Sequence, residues 1–91
     1  MAVTVHIPAH WRDRTGGRDR LDVQGSNLRE VINNLDAEAP GLKALITDDQ
    51  GEIRGEIAIA INSEIPEESH MFDPVPENSE LFLIPAIGGG A

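Results

Sequence analysis

Length, composition and charge restrict this chain to a small acidic protein with one hydrophobic core. Its 91 residues carry 16 Asp and Glu against seven Lys and Arg, a formal net charge of −9, and include no cysteine. A chain of this size has room for a single core. The charge opposes binding to the phosphate backbone of nucleic acids, and the lack of thiols excludes disulfides, cysteine metal sites and a thiolate nucleophile.

The distribution of apolar residues along the chain predicts where in the cell the protein resides. No apolar segment approaches the length of a membrane span, and the amino terminus (MAVTVHIPAHW) lacks the basic and apolar pattern of a signal peptide. We therefore expect a cytoplasmic protein that binds neither a membrane nor a nucleic acid.

Two strands are predicted near the amino terminus. Apolar and polar residues alternate over residues 2–7 (AVTVHI) and again over residues 20–25 (RLDVQG), as is typical of half-buried strands. Residues 9–17 (AHWRDRTGG) between them are interpreted as a loop, with the TGG at 15–17 as a hairpin turn. We expect the two strands to pair as a hairpin.

A helix is predicted after residue 25. Ser26 or Asn27 can cap its first turn, and Glu30 stands at the capping-box position. An apolar stripe at helical spacing predicts the buried face: Leu28, Val31, Ile32 and Leu35. The dipeptide at 40–41 (PG) ends the helix, residues 42–46 are expected to add one short turn, and residues 48–51 (DDQG) are typical of a turn.

The second half of the chain predicts two further strands. Residues 56–62 (EIAIAIN) place isoleucines on one face and alanines on the other. Residues 63–79 contain three prolines and five acids, which indicates a loop with one short strand near Met71–Phe72. Residues 80–84 (ELFLI) form the final strand.

The order of elements predicts the architecture. Strand, strand, helix, strand, loop and strand can pack only as a helix on a sheet. We predict an α+β β-grasp (ubiquitin-like) fold, with a mixed sheet of four or five strands on one main helix and the first and last strands parallel at its centre. The β-grasp domain would occupy residues 1–85, and residues 86–91 would form a flexible glycine-rich tail.

Residues that could support catalysis are scarce. His6, His10 and His70 are scattered and interpreted as solvated. The acidic run at 48–52 (DDQGE) lacks the ligand spacing of a calcium loop, and no P-loop, nucleophile elbow or zinc-protease motif is present. We expect no catalytic residues, no bound metal and no stably bound cofactor.

The last strand is apolar on both faces. Leu81 and Leu83 alternate with Phe82 and Ile84, and a single helix covers only one face of a sheet. We expect the two leucines in the core and the other two side chains on an exposed patch. The alternative is that Phe82 folds back under a loop.

The chain ends in a way that resembles the ubiquitin-like sulfur-carrier family. After Pro85, Ile87 stands where that family has a valine, and Gly89-Gly90 matches its diglycine. The TGG at 15–17 and the element order extend the resemblance over nearly the whole chain. The family includes the small subunit of molybdopterin synthase and the carriers of thiamine and cysteine synthesis. The TGG loop and the LIPA at 83–86 favour the cysteine-synthesis carrier, followed by the molybdopterin subunit.

The resemblance implies a carrier whose chemistry comes from partner enzymes. An ATP-dependent adenylating enzyme of the ubiquitin-activating type would activate the carboxylate of Gly90, and a sulfur donor would convert it to a thiocarboxylate. A sulfur-acceptor synthase would then take up the sulfur. Gly88 and Gly89 would give access to the enzyme active sites, which a segment without Cβ atoms can enter. The residues that would dock the partner are Phe82, Ile84, Pro85 and Ile87.

Ala91 departs from the family pattern because it follows the diglycine. A peptidase would remove it first, or it is an addition to the natural chain, or carrier activity has been lost; we favour removal. Two other functions stay open. One is a protein modifier conjugated to lysines through the same glycine, and the other is a β-grasp interaction module with an inert tail.

Overall fold

The chain forms a mixed sheet with helices packed on one face. The computed structural model describes residues 2–66 and 68–85. In chain order the elements are β1 (Ala2–His6), a 3₁₀ helix (Ala9–Thr15), β2 (Arg20–Gln24), α1 (Leu28–Glu38), α2 (Leu42–Ile46), β3 (Ile57–Ile61) and β4 (Glu80–Pro85). None of the helices in these two ranges is long and apolar enough to cross a membrane.

The described residues form a four-stranded sheet in the order β2-β1-β4-β3. β1 pairs antiparallel with β2, and β4 pairs antiparallel with β3. The two central strands, β1 and β4, are parallel, with Val5 opposite Leu81. A parallel pair needs a long crossover connection, and here the chain between β1 and β4 passes through β2, both α-helices and β3. The predicted β-grasp fold and its central parallel pair are confirmed.

Helix α1 begins as its sequence predicts. Asn27 is the N-cap, and its Oδ1 accepts a hydrogen bond of 2.9 Å from the Glu30 amide. The Glu30 carboxylate in turn accepts one of 2.8 Å from the amide of Ser26. This reciprocal capping satisfies amides that the first helical turn leaves unpaired.

The core lies between the sheet and the helices and is almost entirely aliphatic. The apolar stripe of α1 is buried against the inward side chains of all four strands, and Leu42 and Ile46 of α2 extend it. Trp11 is the only aromatic side chain in this cluster. Leu81 and Leu83 of β4 are part of the core, as predicted.

Residues 9–17 are not simply a loop, so that prediction was wrong. Residues Ala9–Thr15 form a 3₁₀ helix that buries Trp11 and Thr15. The Thr15 hydroxyl lies within hydrogen-bond distance of the carbonyls of Arg12 and Arg18. The glycine turn that follows is present, with Gly16 at a φ of 70°. In the sequence, the signal for this helix was a single large aromatic residue, Trp11, in a mostly polar segment.

The strand predicted near Met71–Phe72 is also absent, since both residues lie in a turn. The amides of α1 explain why. The carbonyl of Met71 accepts a hydrogen bond of 2.7 Å from the Arg29 amide, and that of Asp73 accepts one of 3.1 Å from the Leu28 amide. These bonds hold the segment against the first turn of α1, and its strand-like pairing is limited to one isolated bridge between Asn27 and Pro74.

Candidate partner-docking site

The central strand β4 presents an apolar surface on the side of the sheet opposite the helices. Phe82 and Ile84 are 40% and 41% exposed, whereas Leu81 and Leu83 are 1% and 6% exposed. The alternation of the sequence is therefore reproduced as two different faces. Phe82 does not fold under a loop. An exposed pair of large apolar side chains on a strand is typical of a surface that meets another protein.

The ring of Phe82 is held in place by its neighbours on the sheet. It stacks on the imidazole of His6 with the ring centroids 4.2 Å apart and the planes within 2°. His6 Nε2 lies 2.8 Å from Glu80 Oε1. This arrangement restricts the Phe82 side chain before any partner arrives, so less conformational entropy is lost on binding.

His6 belongs to this surface, although its sequence context predicts a solvated histidine. Its partner Phe82 stands opposite it in the parallel register of β1 and β4. The two residues are 76 positions apart in the chain. Only the pairing of the first and last strands brings them together, and no local pattern carried that information.

A groove runs beside Phe82, which we call the Phe82 groove. Ala60 on β3 stands opposite Phe82, and its small side chain leaves the space open. The groove encloses about 530 Å³, and its lining is His6, Ile7, Pro8, Arg12, Asp19, Ala60, Ser63, Ile65, Phe82, Leu83 and Ile84. Of the four large apolar side chains that are exposed within residues 2–66 and 68–85, three therefore border one concavity.

A tight turn and one side chain fix the position of this surface. Asn62 and Ser63 both have positive φ, 52° and 83°, and the chain reverses between Ile61 and Glu64 through two backbone hydrogen bonds. Such turns match the twist of paired strands. Asn62 Oδ1 also accepts a hydrogen bond of 2.9 Å from the amide of Glu80. The start of β4 is thus held from the side of β3.

The other predicted site residues divide into two groups. Pro85 is partly exposed and ends β4 opposite Ile57, directly beyond Ile84. The structure therefore brings Phe82, Ile84 and Pro85 together at the end of the last strand. The remaining predicted residues lie outside the described residues: Ile87, Gly88, Gly89, Gly90 and Ala91.

Carboxylates with a shifted pKa serve local structure and lie away from this surface. The pKa of Glu30 is lowered because its carboxylate accepts hydrogen bonds from the Ser26 amide and hydroxyl. The pKa of Asp48 is lowered because it accepts hydrogen bonds from the amides of Glu52 and Gln50 in a turn. Within residues 2–66 and 68–85 no three His, Asp or Glu side chains are grouped to hold a metal ion.

Comparison with known proteins identifies the family. The model of the ThiS family matches residues 5–90, nearly the whole chain. The chain belongs to the ThiS family. The proteins of this family are ubiquitin-like sulfur carriers and are not enzymes themselves, which confirms the resemblance drawn from the glycine tail.

Individual relatives agree with this ThiS assignment. The sulfur carrier protein CysO of Mycobacterium tuberculosis is 28% identical over 93 residues, which span 99% of this chain and 100% of the relative. The BexX/CysO complex of Amycolatopsis orientalis contains a chain that matches at a TM-score of 0.88 and 28% identity, over 98% of this chain and 100% of that one. Small archaeal modifier protein 1 of Methanosarcina acetivorans matches at a TM-score of 0.77 and 25% identity, over 98% and 96%.

Proposed function

We propose that this ThiS-family carrier delivers sulfur as a thiocarboxylate on Gly90. In this proposal residues 1–85 are the domain that partner enzymes recognise, and residues 86–91 are the tail that enters their active sites. The carrier binds no cofactor stably, because ATP is bound by the adenylating enzyme. The reactions take place in the cytoplasm.

One observation carries the proposal. The family match extends through Gly89-Gly90, and this diglycine follows a central strand whose exposed large apolar side chains are Phe82 and Ile84. A partner that covers the Phe82 groove would contact Pro85 and so receive the segment that follows it. Ile87, in the position of the family valine, would extend the apolar contact.

The chemistry requires an unhindered terminal carboxylate. Attack of the Gly90 carboxylate on the α-phosphate of ATP would form an acyl adenylate and release pyrophosphate. A donor that supplies sulfur at the oxidation level of sulfide would then attack the acyl carbon, expel AMP and leave a thiocarboxylate. Glycine suits this step because it carries no side chain beside the reacting carbon, and the thiocarboxylate is a good sulfur nucleophile at neutral pH.

In this proposal Ala91 is removed before the reaction begins. Gly90 is followed by Ala91 in this sequence and so has no free carboxylate, whereas the family match ends at residue 90. A peptidase that cleaves after Gly90 would expose its carboxylate. The uncleaved protein would then be an inactive precursor.

The cysteine branch is the pathway we favour. The CysO relatives match over 99% of the chain. The TGG loop and the LIPA segment of this sequence also favour the carrier of cysteine synthesis. The sulfur acceptor would be a synthase that makes cysteine. Acceptors in molybdopterin or thiamine synthesis are the alternatives.

Intact mass is the direct test. Protein isolated from the native host under reducing conditions is expected to lack Ala91 and to have one oxygen replaced by sulfur. In vitro, the chain ending at Gly90 should undergo the same exchange with the host adenylating enzyme, ATP and sulfide, whereas full-length chain should not react.

Two glycine variants make this test specific. Gly90→Ala in the shortened chain should fold normally and fail in activation, so an unaltered rate would contradict the proposal. Gly55→Ala is the matched control, because a Cβ at Gly55 meets nothing within 4 Å, and it should react like the parent. Host protein that retains Ala91 and carries no sulfur would favour a binding module with an inert tail.

Conjugation to other proteins is the second candidate, supported by the similarity to a small archaeal modifier. It would use the same glycine to form an isopeptide bond with lysines of other proteins. Mass spectrometry of adducts from the native host would reveal Gly90 linked to lysine side chains. Because Lys43 is the only lysine, any side-chain branch between two copies would lie there.

A further inference from the structure

The exposed large apolar side chains of the described residues lie on two separate surfaces. Ile65, Phe82 and Ile84 border the Phe82 groove, whereas Phe72, at 75% exposure, stands apart. Phe72 borders a second concavity of about 490 Å³, which we call the Phe72 groove. Its lining is Arg29, Asn33, Lys43, Gln50, Gly51, Glu52, Ile53, Ser69, His70, Met71 and Phe72. The described residues that line the two grooves are all different.

The segment that carries Phe72 is held in place by hydrogen bonds, including one to α1. The Arg29 amide donates to the Met71 carbonyl at 2.7 Å, and the His70 amide donates to Asp73 Oδ2 at 2.9 Å. Met71 and Ile53 are partly buried against the core and form the apolar floor of the groove. The aromatic ring is therefore presented by a hydrogen-bonded turn.

The Phe72 groove is also a basic region on an acidic protein. Of the seven Lys and Arg, four lie between residues 12 and 20, and two of the other three, Arg29 and Lys43, line this groove. In the part of the chain that the structure describes, neither belongs to an ion pair, since the three pairs join other residues. Among the described residues Glu52 is the one acid in the lining, and Glu68 lies beside it, 3.4 Å from His70 Nε2.

We propose that the Phe72 groove is a second docking site, which binds an acidic peptide segment of another protein. The carboxylates of the peptide pair with Arg29 and Lys43, and one large apolar side chain packs on Phe72 over the floor of Met71 and Ile53. Charge complementarity favours this occupant, and aromatic side chains and Arg are enriched in protein–protein interfaces.

This site works independently of the tail. Because no lining residue is shared, a partner in the Phe72 groove leaves the Phe82 groove free for the enzyme that receives residues 86–91. The carrier could then remain attached to one protein while its carboxyl terminus reacts with another. The proposal concerns a peptide-binding surface and stands whether or not Gly90 carries sulfur.

Phage display tests whether the Phe72 groove binds acidic peptides. A random library of 12-residue peptides is selected against the purified full chain. We expect the selected peptides to carry several acids around one aromatic or leucine side chain. Synthetic copies should shift the backbone amide resonances of Arg29, Lys43 and Phe72, and should bind more weakly as salt rises. Phe72→Ser and Lys43→Glu should each reduce the affinity about tenfold or more.

Matched variants separate this site from the rest of the surface. Phe82→Ser removes the other exposed aromatic ring, and Arg20→Glu reverses an exposed charge outside both grooves; both should bind the peptides as the parent does. Phe72→Ser and Lys43→Glu should retain the thermal transition, since neither side chain belongs to the buried core.

Four results would overturn the proposal. Selected peptides could lack acids, or their binding could survive Phe72→Ser. ATP alone could shift the same resonances, which would assign the groove to a nucleotide. A concentration-dependent dimer that Phe72→Ser abolishes would assign it to a second copy of the chain.

Discussion

Replacing Phe82 by alanine separates the docking surface from the core. The ring is 40% exposed in the free protein. If a partner covers it, roughly 80 Å² of a side chain of about 200 Å² becomes buried, which at about 25 cal/mol per Å² contributes about 2 kcal/mol. Phe82→Ala should therefore weaken binding to the adenylating enzyme by about 30-fold.

The same variant should cost less stability than a truncation in the core. The ring is already partly covered in the free protein, but the space that it leaves opens into the Phe82 groove and hence into solvent. No closed cavity forms, and we expect the free energy of unfolding to fall by about 2 kcal/mol. Leu81 is the matched neighbour, 1% exposed and on the opposite face. Leu81→Ala creates a closed cavity and should cost about 3 kcal/mol or more, with unchanged affinity in the fraction that remains folded.

Calorimetric titration with the adenylating enzyme of the native host measures the affinities, and urea unfolding measures the stabilities. The reasoning requires opposite patterns in the two variants. If Phe82→Ala bound normally, or if it lost as much stability as Leu81→Ala, the surface on β4 would be ordinary sheet and not a docking site.

Three further predictions concern the structure that supports this site. A Cβ at Gly25, where φ is +152°, would lie 2.7 Å from Val31 Cγ2; Gly25→Ala should cost about 2–3 kcal/mol in urea unfolding, and wild-type stability would disprove the clash. Asn62→Ala leaves the first amide of β4 without its side-chain acceptor and should cost about 1–3 kcal/mol, whereas an unchanged unfolding midpoint would show that this bond is dispensable. Because the pKa of Glu30 is lowered in the folded protein, its charge stabilises the fold above the ordinary value of 4.5 and ceases to do so as the pH falls through the lowered pKa. Glu30→Gln should therefore be less stable than the parent near neutral pH and equal to it in strong acid; a gap that persists in acid would refute the linkage.

Local sequence patterns correctly predicted many of the secondary-structure elements of this fold. The alternation of β1 and β4, the capping box at Asn27 and Glu30, and the apolar stripe of α1 depend on residues within a few positions of one another. The exposure of Phe82 also follows from local alternation, once one helix is available to cover one face. The predictions that failed involve tertiary contacts. The 3₁₀ helix at residues 9–15 is stabilised by burial of Trp11, and the turn at Met71 by the amides of α1.

The sequence by itself determined the class of this protein. Element order, acidity and a glycine tail after a strand identified a sulfur carrier, because each is a property of short segments or of composition. Only the tertiary structure decided how the surface around Phe82 is built. His6 stacks on Phe82 through a parallel pairing of the first and last strands, and the Phe72 groove joins two helices to two loops. Such contacts depend on strand register and on packing between segments distant in the chain, and neighbouring residues encode neither.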